Sequence, residues 1–137
     1  MKVCGIELKG SEAIVVSLEG TKGEFTRLAP TTKKIALSDN KTQESAQSFL
    51  QTIQQYLRDA GIEAVGIKER ATTGEFGGGA MTFKLEGLIQ SLDLPVQLFH
   101  PSTLAATMRR TPVSIEDQKL HKYQTDAFKV AYHLLGE

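Results

Sequence analysis

The chain has 137 residues, with 40% hydrophobic and 23% charged side chains, enough for one domain with a proper core and too few for two ordinary ones. Its 16 basic and 16 acidic residues cancel, so it lacks the basic excess of a tight, non-specific nucleic-acid binder. No apolar run approaches the roughly 18–20 residues of a membrane helix, and a lone cysteine, Cys4, rules out an internal disulfide and a thiolate metal cluster.

The opening residues, Met1 to Glu7, carry a charge inside a short apolar run and read as a strand, not a signal peptide. A cytoplasmic location is the expectation. Cys4 is expected to be a small buried apolar residue. Val3 to Leu8 forms the first strand, interrupted only by Glu7, and Gly10 ends it. Glu12 to Glu19 is rich in β-branched residues and reads as the second strand. Gly20 and Gly23 bracket a turn. A weaker strand region from Glu24 to Ser38 is interrupted by Pro30, which removes a ladder donor and suits an edge.

A long helix follows. Asp39 or Asn40 is the expected N-cap, with Gln43 three residues after Asn40. Ala46, Phe49, Leu50, Ile53, Leu57 and Ala60 recur at helical spacing and form its apolar face. Gly61 stands where a C-terminal cap belongs. Ile62 to Glu69 reads as a buried strand. The loop from Arg70 to Gly79 holds Gly74, Gly77, Gly78 and Gly79. A second helix carries Met81, Leu85, Leu88, Ile89 and Leu92 on one face. Val96 to Phe99 is a short strand, and Pro101 opens a short helix through Met108. Arg109 to Leu120 shows no clear period. The last helix runs from about Tyr123 to Leu135.

The order is βββαβαβα, a five-stranded mixed sheet flanked by helices in a single domain over residues 1–137. Strands alternating with helices after the meander imply parallel pairing and right-handed crossovers.

The chemistry is expected where carboxylates meet. Glu7, in an apolar and central strand, is costly to bury without a partner. Glu69 closes the apolar run of the fourth strand. If those strands are parallel neighbours, both side chains lie near the edge where open α/β sheets place their sites. On the last helix, Ala127, Val130, Ala131 and Leu134 form the buried stripe. At about 100° per residue, Asp126 falls roughly 40° outside it, on the flank that still touches the protein body. Three carboxylates there would repel one another unless a cation sits between them, and hard oxygen ligands suit Mg²⁺ or Mn²⁺. Each also has a structural reading. Glu7 pairs with Lys9 or Lys68, Glu69 with Arg70 or Lys84, and Asp126 favours the helix dipole.

With these residues in place, the chain resembles the RuvC-like branch of the ribonuclease H superfamily over nearly its full length. Gly5-Ile6-Glu7 is similar to the first-strand motif of glycine, apolar residue and catalytic acid. Val65 to Glu69 resembles the strand that ends in the catalytic Glu, and Lys84-Leu85-Glu86-Gly87 the segment after it. Asp126-Ala127-Phe128 resembles the start of the last catalytic helix. The chain also looks like a small bacterial family with no assigned function. The resemblance implies a ribonuclease H-like fold and a nuclease-type metal site, with Glu7, Glu69 and Asp126 catalytic and holding the ions. Two positions depart from the pattern: Glu7 replaces the usual Asp, and Tyr123 stands where a further Asp or His usually lies.

Substrate contacts are sought in the basic cluster of Arg109, Arg110, Lys119, His121 and Lys122, which could grip flanking phosphates or form a solvated loop. Thr72 and Thr73 are further candidates for a backbone phosphate. The loop Gly74 to Gly79 is either a flap with phosphate-binding N–H groups or a plain turn. His100 is a strand-end histidine or a substrate contact. Three functions stay open. The first is a metal-dependent phosphodiesterase acting on DNA or RNA. The second is a non-catalytic ribonuclease H-like module that binds nucleic acid or a protein partner. An actin-like kinase or ATPase ranks last, since those pair two such domains. No membrane partner is expected, and a homodimer stays open.

Overall fold

The computed structural model describes residues 1–28, 32–70 and 79–137. Strands β1 (Lys2–Lys9) and β2 (Glu12–Gly20) form a hairpin in register from Lys2↔Glu19 to Lys9↔Glu12. Gly10 turns it at φ 59°, a backbone conformation glycine adopts without penalty. The weak third strand is two short pieces, β3 (Phe25–Arg27) and β4 (Lys34–Ala36). Both pair with β2, so the sheet counts six strands where five were expected. Pro30, the expected interruption, lies outside the described residues.

Helix α1 (Gln43–Ala60) is capped by Thr42, whose Oγ1 accepts from Ser45 N at 3.2 Å, rather than by Asp39 or Asn40. Gly61 closes it in the left-handed conformation, as expected. β5 (Ala64–Lys68) then pairs parallel with β1, and β6 (Val96–Phe99) with β5. The strand order is β3-β2-β1-β5-β6. Helix α2 (Ala80–Gln90) connects β5 to β6, and α3 (Pro101–Arg110) follows with proline in its first turn. His100 is the N-cap of α3, its Nδ1 accepting from Ser102 N at 3.1 Å. The last helix is shorter than expected: a 3₁₀ turn at Lys122–Gln124 leads into α4 (Thr125–Leu134). No helix among the described residues is long and apolar enough to cross a membrane.

Strand alternation divides the interior in two. Cys4, Ile6, Leu8, Val65 and Ile67 join α1 and α2 in one core. Burial pushes the Cys4 thiol up to about 12, despite opposing hydrogen bonds, so it stays protonated. Val3 and Ala64 join α4 in the other core. On that second face, Gly5 of β1 lies directly beside Gly66 of β5. A Cβ on Gly5 would come 2.1 Å from Ala127 O and 2.4 Å from Ala131 N. One on Gly66 would come 2.7 Å from Val130 Cγ1 and 2.8 Å from Phe99 Cε2. The two glycines thus form a trough in which the backbone of α4 rests on the sheet. Ala127 and Ala131, four apart and fully buried, supply the matching flat stripe on the helix.

Candidate functional site

The trough sets what meets at the sheet edge. Two residues beyond Gly5, on the same face, stands Glu7. Two residues beyond Gly66 stands Lys68. One residue before Ala127, in the first turn of α4, stands Asp126. The three converge at the C-terminal ends of β1 and β5. Lys68 Nζ donates to Asp126 Oδ2 at 2.8 Å and lies 3.7 Å from Glu7 Oε2. All three side chains are partly buried, with 27% of Lys68, 20% of Glu7 and 35% of Asp126 exposed.

No ion pair or hydrogen bond of the described residues joins the Glu69 carboxylate to this pair. Val65 and Ile67 face α1 and α2. β5 also ends at Lys68, while the Glu69 N–H donates to Phe99 O at 2.8 Å. Among the described residues, no group of three or more His, Cys, Asp and Glu gathers as a metal cage. The neighbouring Arg70 pairs with Glu86 at 3.6 Å and lies over the exposed Phe83 ring.

The ammonium of Lys68 therefore provides the cation that two close carboxylates require. Mg²⁺ and Mn²⁺ take oxygen ligands, and here a positive donor stands within reach of both acids. This donor set does not fit a divalent ion.

The ionisation of the trio follows from the same geometry. Burial and the charge of Asp126 push Glu7 above the usual carboxylate range, against the opposing pull of Lys68. Burial pushes Asp126 up as well, but the Lys68 hydrogen bond and charge outweigh it and hold the carboxyl below its ordinary value. Burial pulls Lys68 down, and its two acidic neighbours more than reverse this, leaving it raised. The Asp126 contribution to stability is thus present above its unfolded value and lost as pH falls through its lowered one. The Lys68 contribution is present below its unfolded value and lost as pH rises through its raised one. A carboxyl-carbon NMR titration is expected to show Glu7 titrating above Asp126, and both moving up in Lys68→Met. Coincident, unshifted curves would show that the three groups do not interact.

Beside the two carboxylates lies an open cleft of about 440 Å³ lined by Glu7, Lys9, Lys122, Tyr123, Thr125 and Asp126. Lys9 and Lys122 are exposed and make no ion pair among the described residues. Lys129 acts on Asp126 from the next turn of α4. Tyr123, read from sequence only as a poor metal ligand, is a wall of this cleft. Its ring stacks on His121 and carries Lys34 Nζ at 4.3 Å from its centroid.

The expected basic cluster is split. Arg110 reaches Thr107 Oγ1 at 3.4 Å, and that hydroxyl is bonded to His133 near the far end of α4. At 1.5 Å rise per residue, the seven residues from Asp126 to His133 span about 10 Å. Arg109 and Arg110 thus close α3 away from the site, while His121 and Lys122 stand beside it. Thr72, Thr73 and the loop Gly74 to Gly78 lie outside the described residues. Gly79 is the N-cap of α2.

A mixed sheet in this strand order, with a carboxylate-bearing helix laid over its central strands, defines a ribonuclease H-like fold of the RuvC type. The structure of RuvC from Thermus thermophilus is similar at a TM-score of 0.72 and 14% identity, over 97% of this chain and 92% of that one. The same protein in complex with Holliday junction substrate matches at 0.72 and 13%, with the same coverage. The fowlpox virus Holliday junction resolvase matches at 0.50 and 11%, over 98% of this chain and 94% of that one. At these identities the likeness is one of fold. The chain belongs to the family described as protein of unknown function (DUF3010), whose model matches residues 1–134. No curated protein matches by sequence.

Proposed function

We propose that the chain is a non-hydrolytic ribonuclease H-like module, a single domain over residues 1–137, that binds the phosphate backbone of nucleic acid across the C-terminal edge of its sheet. The observation that carries this reading is Lys68, held between Glu7 and Asp126 at 3.7 and 2.8 Å. A metal-dependent nuclease built on Glu7, Glu69 and Asp126 would need the third carboxylate where this ammonium stands. With Lys68 filling the gap between the acids, Lys9 and Lys122 at the cleft and Lys129 nearby make the edge locally basic, although the whole chain is neutral. A basic cleft at the end of a sheet suits a polyanion. That RuvC of T. thermophilus was solved with a Holliday junction on the same fold supports nucleic acid over a protein partner.

Fluorescence anisotropy with labelled four-way junctions, duplexes and single strands, with Mn²⁺ present, tests the reading. Binding is expected to weaken with salt, with a slope of about −2 to −3 in log–log form for two or three neutralised phosphates, and the probes should stay intact. The Lys9→Ala, Lys122→Ala double variant should bind less tightly and with a shallower slope. Absence of binding at low salt would turn the reading toward a protein partner. Cleavage that requires Mn²⁺ and is lost in Asp126→Asn would replace it with the nuclease.

A further inference from the structure

The His121–Tyr123 pair has no part in holding the trio, yet its Tyr123 ring lines the same cleft. The two rings are 5.3 Å apart between centroids and only 8° from parallel. Tyr123 is anchored: its ring is partly buried against the α4 core and braced by Lys34. His121 is exposed. Its backbone is fixed, because its N–H donates to Oε1 of Gln124 at 3.1 Å, and Gln124 is 1% exposed. The imidazole is thus a flat ring presented to solvent on a rigid support, with Lys122 next to it in the chain and Lys9 across the cleft.

Flat aromatic surfaces flanked by cations are how proteins hold unpaired bases. The base stacks on the ring and the backbone follows the positive groove. We infer that His121 and Tyr123 form a base platform, on which one unpaired nucleobase stacks against the imidazole while its flanking phosphates lie on Lys122 and Lys9. This rests on the phosphate-binding reading above and narrows it: the ligand is a single-stranded or flipped-out nucleotide. A fully paired duplex keeps its bases stacked on one another and cannot use the platform. DNA and RNA bases offer the same face.

The test uses the full chain and short oligonucleotides carrying 2-aminopurine at a central position, as single-stranded DNA, single-stranded RNA and duplex DNA. Binding of a single strand of either sugar is expected to quench the 2-aminopurine fluorescence, as stacking on an aromatic ring does. His121→Ala is expected to abolish the quench and weaken single-strand binding about tenfold, the scale of one lost stacked base, while leaving duplex affinity unchanged. Tyr123→Phe keeps the ring and should keep the quench. His121 is exposed, so the alanine variant folds, and circular dichroism checks this. If His121→Ala binds and quenches single strands as the wild type does, the platform is wrong and the phosphate-binding reading stands. If the wild type binds none of the three probes, both fail.

Discussion

Gly5→Ala is expected to destabilise the chain by about 3 kcal/mol or more, beyond the ordinary cost of overfilling a core. The added Cβ would stand 2.1 Å from Ala127 O and 2.4 Å from Ala131 N. These are backbone atoms of α4, which cannot rotate away, so the whole helix must lift. Such a loss is a large part of the roughly 5–15 kcal/mol that holds an ordinary domain together. Lifting α4 also withdraws Asp126 from Lys68. The Gly66→Ala variant meets Val130, Phe99 and Leu134 through side-chain tips, which can shift, so about 1–3 kcal/mol is expected. Urea midpoints for the two variants check the ranking. A Gly5→Ala chain as stable as the wild type would mean that α4 does not rest on the sheet at this point.

Lys68→Glu carries the second large effect, because it converts the ion-paired site into the three-carboxylate set. Without a cation the acids repel one another, and the variant should melt well below the wild type. With Mn²⁺ it should recover. A ligand that binds only the folded state, at a hundredfold excess over its Kd, stabilises by about 2.7 kcal/mol, or about 10 °C for a chain of this size. The wild type, already neutralised by Lys68, should gain nothing. Equal melting shifts in both proteins would mean that the ion sits elsewhere. Loss of stability in Lys68→Glu without metal rescue would mean that the third carboxylate cannot reach the other two.

The element order was legible in the sequence because local chemistry and burial agree there. The helical spacing of Phe49, Ile53 and Leu57, the cap at Gly61, the first-turn Pro101 and the small turn at Gly10 are each read from a few neighbouring residues. Glu7 and the orientation of Asp126 were likewise within reach, since each is set by the period of its own element. The part of Lys68 was not read, because a strand has a period of two and the apolar run Val65 to Ile67 includes Gly66, which blurs the phase. Counting from Gly5 and Gly66, paired in the sheet, assigns the site face to Glu7 and Lys68; that pairing is a tertiary fact. The spread of the basic cluster was hidden for another reason. The segment between Arg110 and His121 has no period because Val113, Ile115 and Leu120 each reach the α4 core from irregular backbone. It carries its two ends to opposite ends of α4. The His121–Tyr123 stack was invisible for the same cause: an extended His121 before a 3₁₀ turn aligns two rings that no helical or strand period would bring together.

The claim that Lys68, and not a divalent ion, occupies the site between Glu7 and Asp126 is tested most directly by paramagnetic broadening. Substoichiometric Mn²⁺ is added to ¹⁵N-labelled wild type, and the amide signals of residues 6–8, 67–69 and 125–127 are followed. No selective broadening of these signals is expected at ion concentrations that broaden them in Lys68→Glu. Preferential loss of the Glu7 and Asp126 signals in the wild type would contradict the account and restore the metal-dependent reading of the site.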